Sequence, residues 1–330
     1  MGFGGRRPKT PLRGLSGGRV ALALLLSAVQ AQPASAQGAA QNAVPAAPKP
    51  LPAPPFIPPE PPTDSVSGMG DVNLYPKRII IDQRQRVATV GLFNRASATG
   101  SYEIQLSDMM MTPEGRLVDL ASVTDAAARD RVKTASRLLR WSPHRVVLAS
   151  HDSQTVRLMA RVPPDLPPGE YRSHFSATAV PDIGSGGLNI EDAAGAQKAS
   201  AIGVTIVPRF GISIPVIVRI GETTVTAGLR DLSVTQLQDG GRAIALTITR
   251  AGNRSAYGDI TVTAAGGKTK IAEIRGIGVY TEITQRTLQV LVDPKSDPRL
   301  TVRGARLTVT YTDDDFAPGK ILARQDFTVP

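Results

Sequence analysis

Between residues 201 and 219 a series of apolar side chains falls on alternate positions: Ile202, Val204, Ile206, Phe210, Ile212, Ile214, Val216 and Val218. A period of two belongs to an extended strand with one face turned to something apolar. The run is much longer than the roughly 5–6 residues of an ordinary strand. Shorter runs rich in Val, Ile, Thr and Leu, punctuated by Gly, Pro, Asp and Asn, precede it at 72–82, 86–94, 101–109, 137–149, 153–162 and 169–180. A second series follows at 224–237, 242–251, 259–265, 269–280, 286–293, 305–313 and 321–329. Such spacing with almost no helical period predicts an all-β chain of two immunoglobulin-like β-sandwich domains, 71–220 and 221–330. Only 120–136, LASVTDAAARDRVKTAS, has room for a short helix.

Ahead of residue 71 the alternation is missing. Residues 37–70 are dense in proline, as in AAPKPLPAPPFIPPEPP, and are expected to form an extended tether with no core of its own. Residues 1–36 combine Arg6, Arg7, Lys9, Arg13 and Arg19 with the apolar run VALALLLSAV and Ala34-Ser35-Ala36. This predicts a cleaved signal peptide, export, and a mature chain that starts at Gln37. The apolar run is about half of the roughly 20 residues a spanning helix needs.

Composition narrows the function classes. With no cysteine, disulfides, thiolate catalysis and Cys-ligated metals all drop out. The leader's five basic residues account for half of the net charge of +10, leaving +5 on the rest of the chain. Aromatics make up only 4%, so the basic-and-aromatic surface of a nucleic-acid binder is not expected. His144, His151 and His174 stand on separate segments without metal spacing, and no nucleophile elbow or phosphate loop occurs. Asp313-Asp314-Asp315, between two strand runs and ahead of Pro318-Gly319, reads as a solvated hairpin turn. The lone Trp141 reads as a core plug. Neither an enzyme, a cofactor nor a small-molecule substrate is expected.

Three stretches in order, YPKRIIIDQRQRVATVGLFNRA (75–96), SPHRVVLASHDSQTVRLMARVPPDLPPGEYRSHFSATAVP (142–181) and FGISIPVIVR (210–219), resemble the PapD-like periplasmic chaperones of chaperone–usher pilus assembly. The likeness covers most of 70–220. It implies a chaperone that lends the last strand of its first domain to a pilus subunit lacking one, then delivers that subunit to an outer-membrane usher. An added strand satisfies unpaired backbone groups, while alternate side chains fill apolar pockets. On this reading the donor residues are Ile202, Val204, Ile206, Phe210 and Ile212, following a polar, small-residue loop at 181–200. Alternation equally describes a strand half-buried in its own sheet, and Pro208 interrupts the ladder.

The resemblance also implies a basic pair in the inter-domain cleft that grips the subunit's C-terminal carboxylate. Arg78 matches the arginine of that pair. The place of the lysine falls near Pro215, which leaves Arg219 or Arg209 as a substitute, or no such grip. The competing reading is a structural or adhesive surface protein of two sandwiches on a proline-rich stalk.

Overall fold

A computed structural model describes residues 60–181, 209–264 and 266–330. The expected signal peptide, most of the expected tether, and Ile202, Val204 and Ile206 lie outside the described residues. The first sandwich comprises β1 (Val66–Ser67), β2 (Val72–Tyr75), β3 (Ile79–Ile81), β4 (Val87–Asn94), β5 (Gly100–Ser107), β6 (Met109–Met111), β7 (Leu117–Asp119), β8 (Leu139–Ser142), β9 (Arg145–Leu148), β10 (Ser153–Ala160), β11 (Gly169–Val180) and β12 (Gly211–Ile220). Its sheets run β1-β2-β4-β10-β8 and β3-β12-β11-β5-β9, and β6-β7 forms a separate ribbon. The second sandwich comprises β13 (Val225–Gln236), β14 (Arg242–Gly252), β15 (Ala256–Ala264), β16 (Thr269–Val279), β17 (Gln285–Leu291), β18 (Arg306–Asp313) and β19 (Ile321–Thr328). These build the sheets β13-β14-β17 and β16-β15-β18-β19.

Two runs expected to be single strands are each divided by a proline. Residues 72–82 break at Pro76: β2 pairs antiparallel with β4, while β3 joins the opposite sheet and pairs parallel with β12. Residues 137–149 break at Pro143 in the same way, giving β8 in one sheet and β9 in the other. A proline has no N–H for the ladder, and here it marks where the chain changes sheets.

The first sandwich begins before the expected boundary at residue 71. Val66 and Ser67 pair with Leu74 and Asn73, Asn73 Nδ2 donates to Ser65 Oγ at 3.2 Å, and Val66 packs against the first core. One apolar residue in a polar stretch is too short a signal for alternation to detect. The expected helix is α1 (Ala126–Asp130), with the Asp125 carboxylate accepting from Ala127 N at its start.

Each sandwich closes over its own core. Leu74, Ile81, Leu92, Leu158, Phe175 and Ile214 are fully buried in the first; Ile248, Ile260, Val262, Ile271, Val309 and Tyr311 in the second. Trp141 lies half-buried at the margin of the first core and donates to the Ile104 carbonyl at 3.2 Å.

The β6–β7 ribbon leaves the first sandwich and docks on the second. Thr287 N donates to the Pro113 carbonyl at 2.7 Å, and Met111 N to Glu282 Oε1 at 2.8 Å. Gly115, at the turn with φ of +82°, rests on the Arg286 guanidinium, where a β carbon would collide with Arg286 Nε. Met111, Ile217, Tyr257 and Tyr280 form a small apolar cluster between the sandwiches. Among the described residues no helix is long and apolar enough to cross a membrane.

Candidate functional site at the junction of the sandwiches

On β11, Tyr171, Phe175 and Ala177 enter the first core, so alternation turns Glu170, Arg172 and His174 to the other face. These three polar side chains are nonetheless buried, because the second sandwich covers them. Arg172 forks onto Glu282 through Nη2 at 2.8 Å and Nη1 at 3.1 Å, stacks on the Tyr280 ring at 3.5 Å, and donates from Nη2 to the Met109 carbonyl at 2.9 Å. Burial disfavours its charge, but the facing Glu282 carboxylate outweighs that and holds its pKa above the ordinary value. His174, 6.1 Å from Tyr280 between ring centroids, has neither ring nitrogen bonded among the described residues. Burial, helped by Arg172, lowers its pKa to about 3 and keeps it neutral.

Arg219, the candidate second anchor, is not free to grip a partner. Its Nε donates to Glu170 Oε2 at 3.3 Å, and its two terminal nitrogens hold the Asp315 carboxylate. Glu170 accepts in addition from Ser255 Oγ. These ion pairs offset the burial of the guanidinium and keep its pKa raised. Arg209 is excluded for a different reason: it lies on the surface with Glu103 at 3.2 Å.

Arg78 does lie in the junction. Its guanidinium stacks on the Tyr257 ring at 4.1 Å, and Nη2 donates to Asp314 Oδ1 at 2.9 Å. The other Asp314 oxygen takes Lys77 Nζ at 2.7 Å. Arg78 Nη1 is buried with no hydrogen-bond partner among the described residues. An open cleft of about 450 Å³ beside this cluster is lined by Ile80, Arg84, Arg219, Asp315 and Phe316.

The acidic triplet is therefore a hairpin turn between β18 and β19, but not a solvated one. Asp313 is buried and accepts from the backbone N–H groups of Asp315, Phe316 and Ala317; Asp314 and Asp315 face Arg78 and Arg219. Nothing local in the sequence states that two arginines lie opposite this turn, and Lys77 and Glu282 likewise carry no local signal. The one available signal for this face was the polar alternation of Glu170, Arg172 and His174.

The donor candidates fare unequally. Phe210 is 42% exposed, whereas Ile212 is 6% exposed and belongs to the first core, so Ile212 is an ordinary core residue. The described part of the alternation, Ile212 to Ile220, faces this sandwich's own interior.

The backbone of β12 is another matter. Ala179 N donates to the Phe210 carbonyl, so in this antiparallel register the even positions turn their N–H and C=O groups to β11. The odd positions turn theirs outward. There β3 pairs with Val216–Val218 only, and Gly211–Pro215 have no strand partner on that side among the described residues. Pro215 sits where an outward N–H is not needed. Among the described residues, no cluster of His, Asp and Glu is arranged to hold a metal ion.

Neither a family model nor a curated protein matches this sequence. Among solved structures, the chain is similar to the YadV chaperone at 13% identity, covering 78% of this chain and 100% of that one with a TM-score of 0.39. It is similar to the Pseudomonas aeruginosa CupB2 chaperone at 8% identity over 78% and 100% of the two chains, with a TM-score of 0.39. A Salmonella enterica SafA pilin complex with the SafB chaperone aligns at 14% identity over 80% and 99%, with a TM-score of 0.37. Likeness at this level gives no residue-by-residue correspondence.

Proposed function

We propose that this protein is an exported, ATP-independent chaperone of pilus or fimbrial subunits, working by strand addition and delivering its cargo to an outer-membrane usher. The observation that carries the reading is the edge of β12 at Gly211–Pro215, which has no strand partner among the described residues and ends beside the cationic residue Arg78. Outward-facing N–H and C=O groups on such an edge are a template for another chain's strand. The ladder that pairs Ile79 with Val216, continued by one residue, sets Arg78 beside Pro215. A partner strand running parallel to β12 along the open stretch thus brings its C-terminus to Arg78. The sequence likeness of residues 70–220 supports the same reading. Apolar donor side chains would come from Ile202, Val204, Ile206 and Phe210, with the leader supplying export to the periplasm and residues 37 to about 64 a tether.

Pull-down of the mature chain from periplasm is expected to recover pilin-like subunits. Replacing Val204 and Ile206 together by Asp is expected to abolish that capture, since two charges enter an apolar groove. Recovery of the same subunits by the double mutant, or of none by the wild type, would falsify the reading.

A further inference from the structure

We propose that Lys77 and Arg78 form a two-cation carboxylate clamp that the chain's own Asp314 occupies in the free protein, and that the terminal carboxylate of an extended polypeptide partner displaces Asp314. This rests on the chaperone reading and adds to it both the second cation and the competitor. Each Asp314 oxygen meets one cation, Oδ1 with Arg78 at 2.9 Å and Oδ2 with Lys77 at 2.7 Å. A peptide's terminal carboxylate offers the same two oxygens.

Displacement needs no rebuilding of the hairpin. Asp313 holds the turn through three backbone N–H groups, Asp315 is tied to Arg219, and Asp314 N donates to the Tyr257 carbonyl at 3.2 Å. The Asp314 side chain can therefore swing away while its backbone stays. Arg78 keeps its seat on the Tyr257 ring, with Nη1 buried and without a partner among the described residues, and so available to an incoming oxygen. The Lys77 side chain, 44% exposed, opens the clamp to solvent. In the absence of a partner, Asp314 neutralises two cations that would otherwise be left uncompensated at a half-closed site.

The test uses the mature chain and the peptide acetyl-Val-Thr-Val-Thr-Val, made as the free acid and as the C-terminal amide. If Asp314 fills the clamp more than nine-tenths of the time, Asp314→Asn should bind the acid about tenfold more tightly than wild type. The amide should bind both chains alike, and Lys77→Ala in the Asp314→Asn background should return much of the gain. Acid favoured over amide by the same factor in wild type and Asp314→Asn would leave the carboxylate grip standing and overturn the masking. No preference for the acid in either chain, or no binding of either peptide, would overturn the clamp itself. Should Asp314→Asn not fold, the wild-type chain decides through the side-chain carboxyl carbon resonance of Asp314, followed by NMR. Its movement with the acid and not the amide is expected; a fixed resonance while the acid binds overturns displacement.

Discussion

The two halves of β12 share one alternation and do different work. In Val216–Ile220 every side chain is buried: the even ones in the first core, Ile217 in the apolar cluster between the sandwiches, and Arg219 on Glu170 and Asp315. Its backbone is paired on both sides over Val216–Val218. In Gly211–Pro215 the even side chains still enter the core, but Gly211 and Ser213 are exposed and one backbone edge has no strand partner among the described residues. Side-chain alternation reports on one face of a strand only. What covers the other face, and what lies along the edge, depends on residues far away in sequence.

The largest expected effect is in the covered half. Arg219→Ala leaves Glu170 and Asp315, 1% and 2% exposed at their side chains, as uncompensated buried charges. A loss of about 3–5 kcal/mol is expected, measured by denaturant unfolding of the free chain. A loss below about 1 kcal/mol would mean that the junction is wet and loose there, and that Arg219 is available to a partner after all.

Next comes a comparison between two apolar residues of the same phase. Ile212→Ala should cost at least about 2 kcal/mol, as expected of a core deletion, while Phe210→Ala at an exposed position should cost less than about 1 kcal/mol. Equal and small losses would restore Ile212 to the donor set and place the end of the core nearer Ile214.

How much of this was legible follows from the same distinction. The longer strands need only local alternation, and runs such as 224–237 or 305–313 emerge almost unchanged as β13 and β18. The β6–β7 ribbon escaped because three-residue strands carry too few positions to show a period. At the site, the family likeness points to Arg78 and the turn pattern to Asp314, whereas Lys77 and Glu282 carry no signal, since an ion pair across more than a hundred residues leaves no local trace. Glu170, Arg172 and His174 look like the wet side of an ordinary strand. Their burial is decided wholly by the second sandwich.

His174 sharpens the contrast through pH. Its folded pKa of about 3 lies below the ordinary 6.5, so the folded state holds it neutral while the unfolded chain takes up a proton below about pH 6.5. Stability is therefore full above that value and falls as pH drops towards 3, by at most about 1.4 kcal/mol per pH unit for this one group. Burial and Arg172 cause the shift, and the Tyr280 ring packs nearby without a charge to offset it. Unfolding measured from about pH 6.5 down to about pH 5 stays above the ordinary carboxylate range, and comparison with His174→Leu separates this imidazole from the other two histidines. His174→Leu should flatten the slope in that window; an unchanged slope would show that the imidazole is hydrated in the folded chain.

The smallest expected effect bears most directly on the open edge. The Ser213 N–H points away from β11 and meets no strand among the described residues, so Ser213→Pro removes no ladder bond seen there and should cost the free chain less than about 1 kcal/mol. Pro215, two positions on in the same strand, already has that arrangement. Ile214→Pro is the control, because the Ile214 N–H turns to Phe175 on β11 and its loss strands a buried carbonyl at about 1–3 kcal/mol, with ring strain in addition. If Ser213→Pro unfolds the protein as readily as Ile214→Pro, the outward edge is paired in solution and the strand-addition site is closed. If the free chain tolerates it yet loses subunit capture, the backbone of Gly211–Pro215 is itself part of the binding surface, independent of which side chains enter the partner.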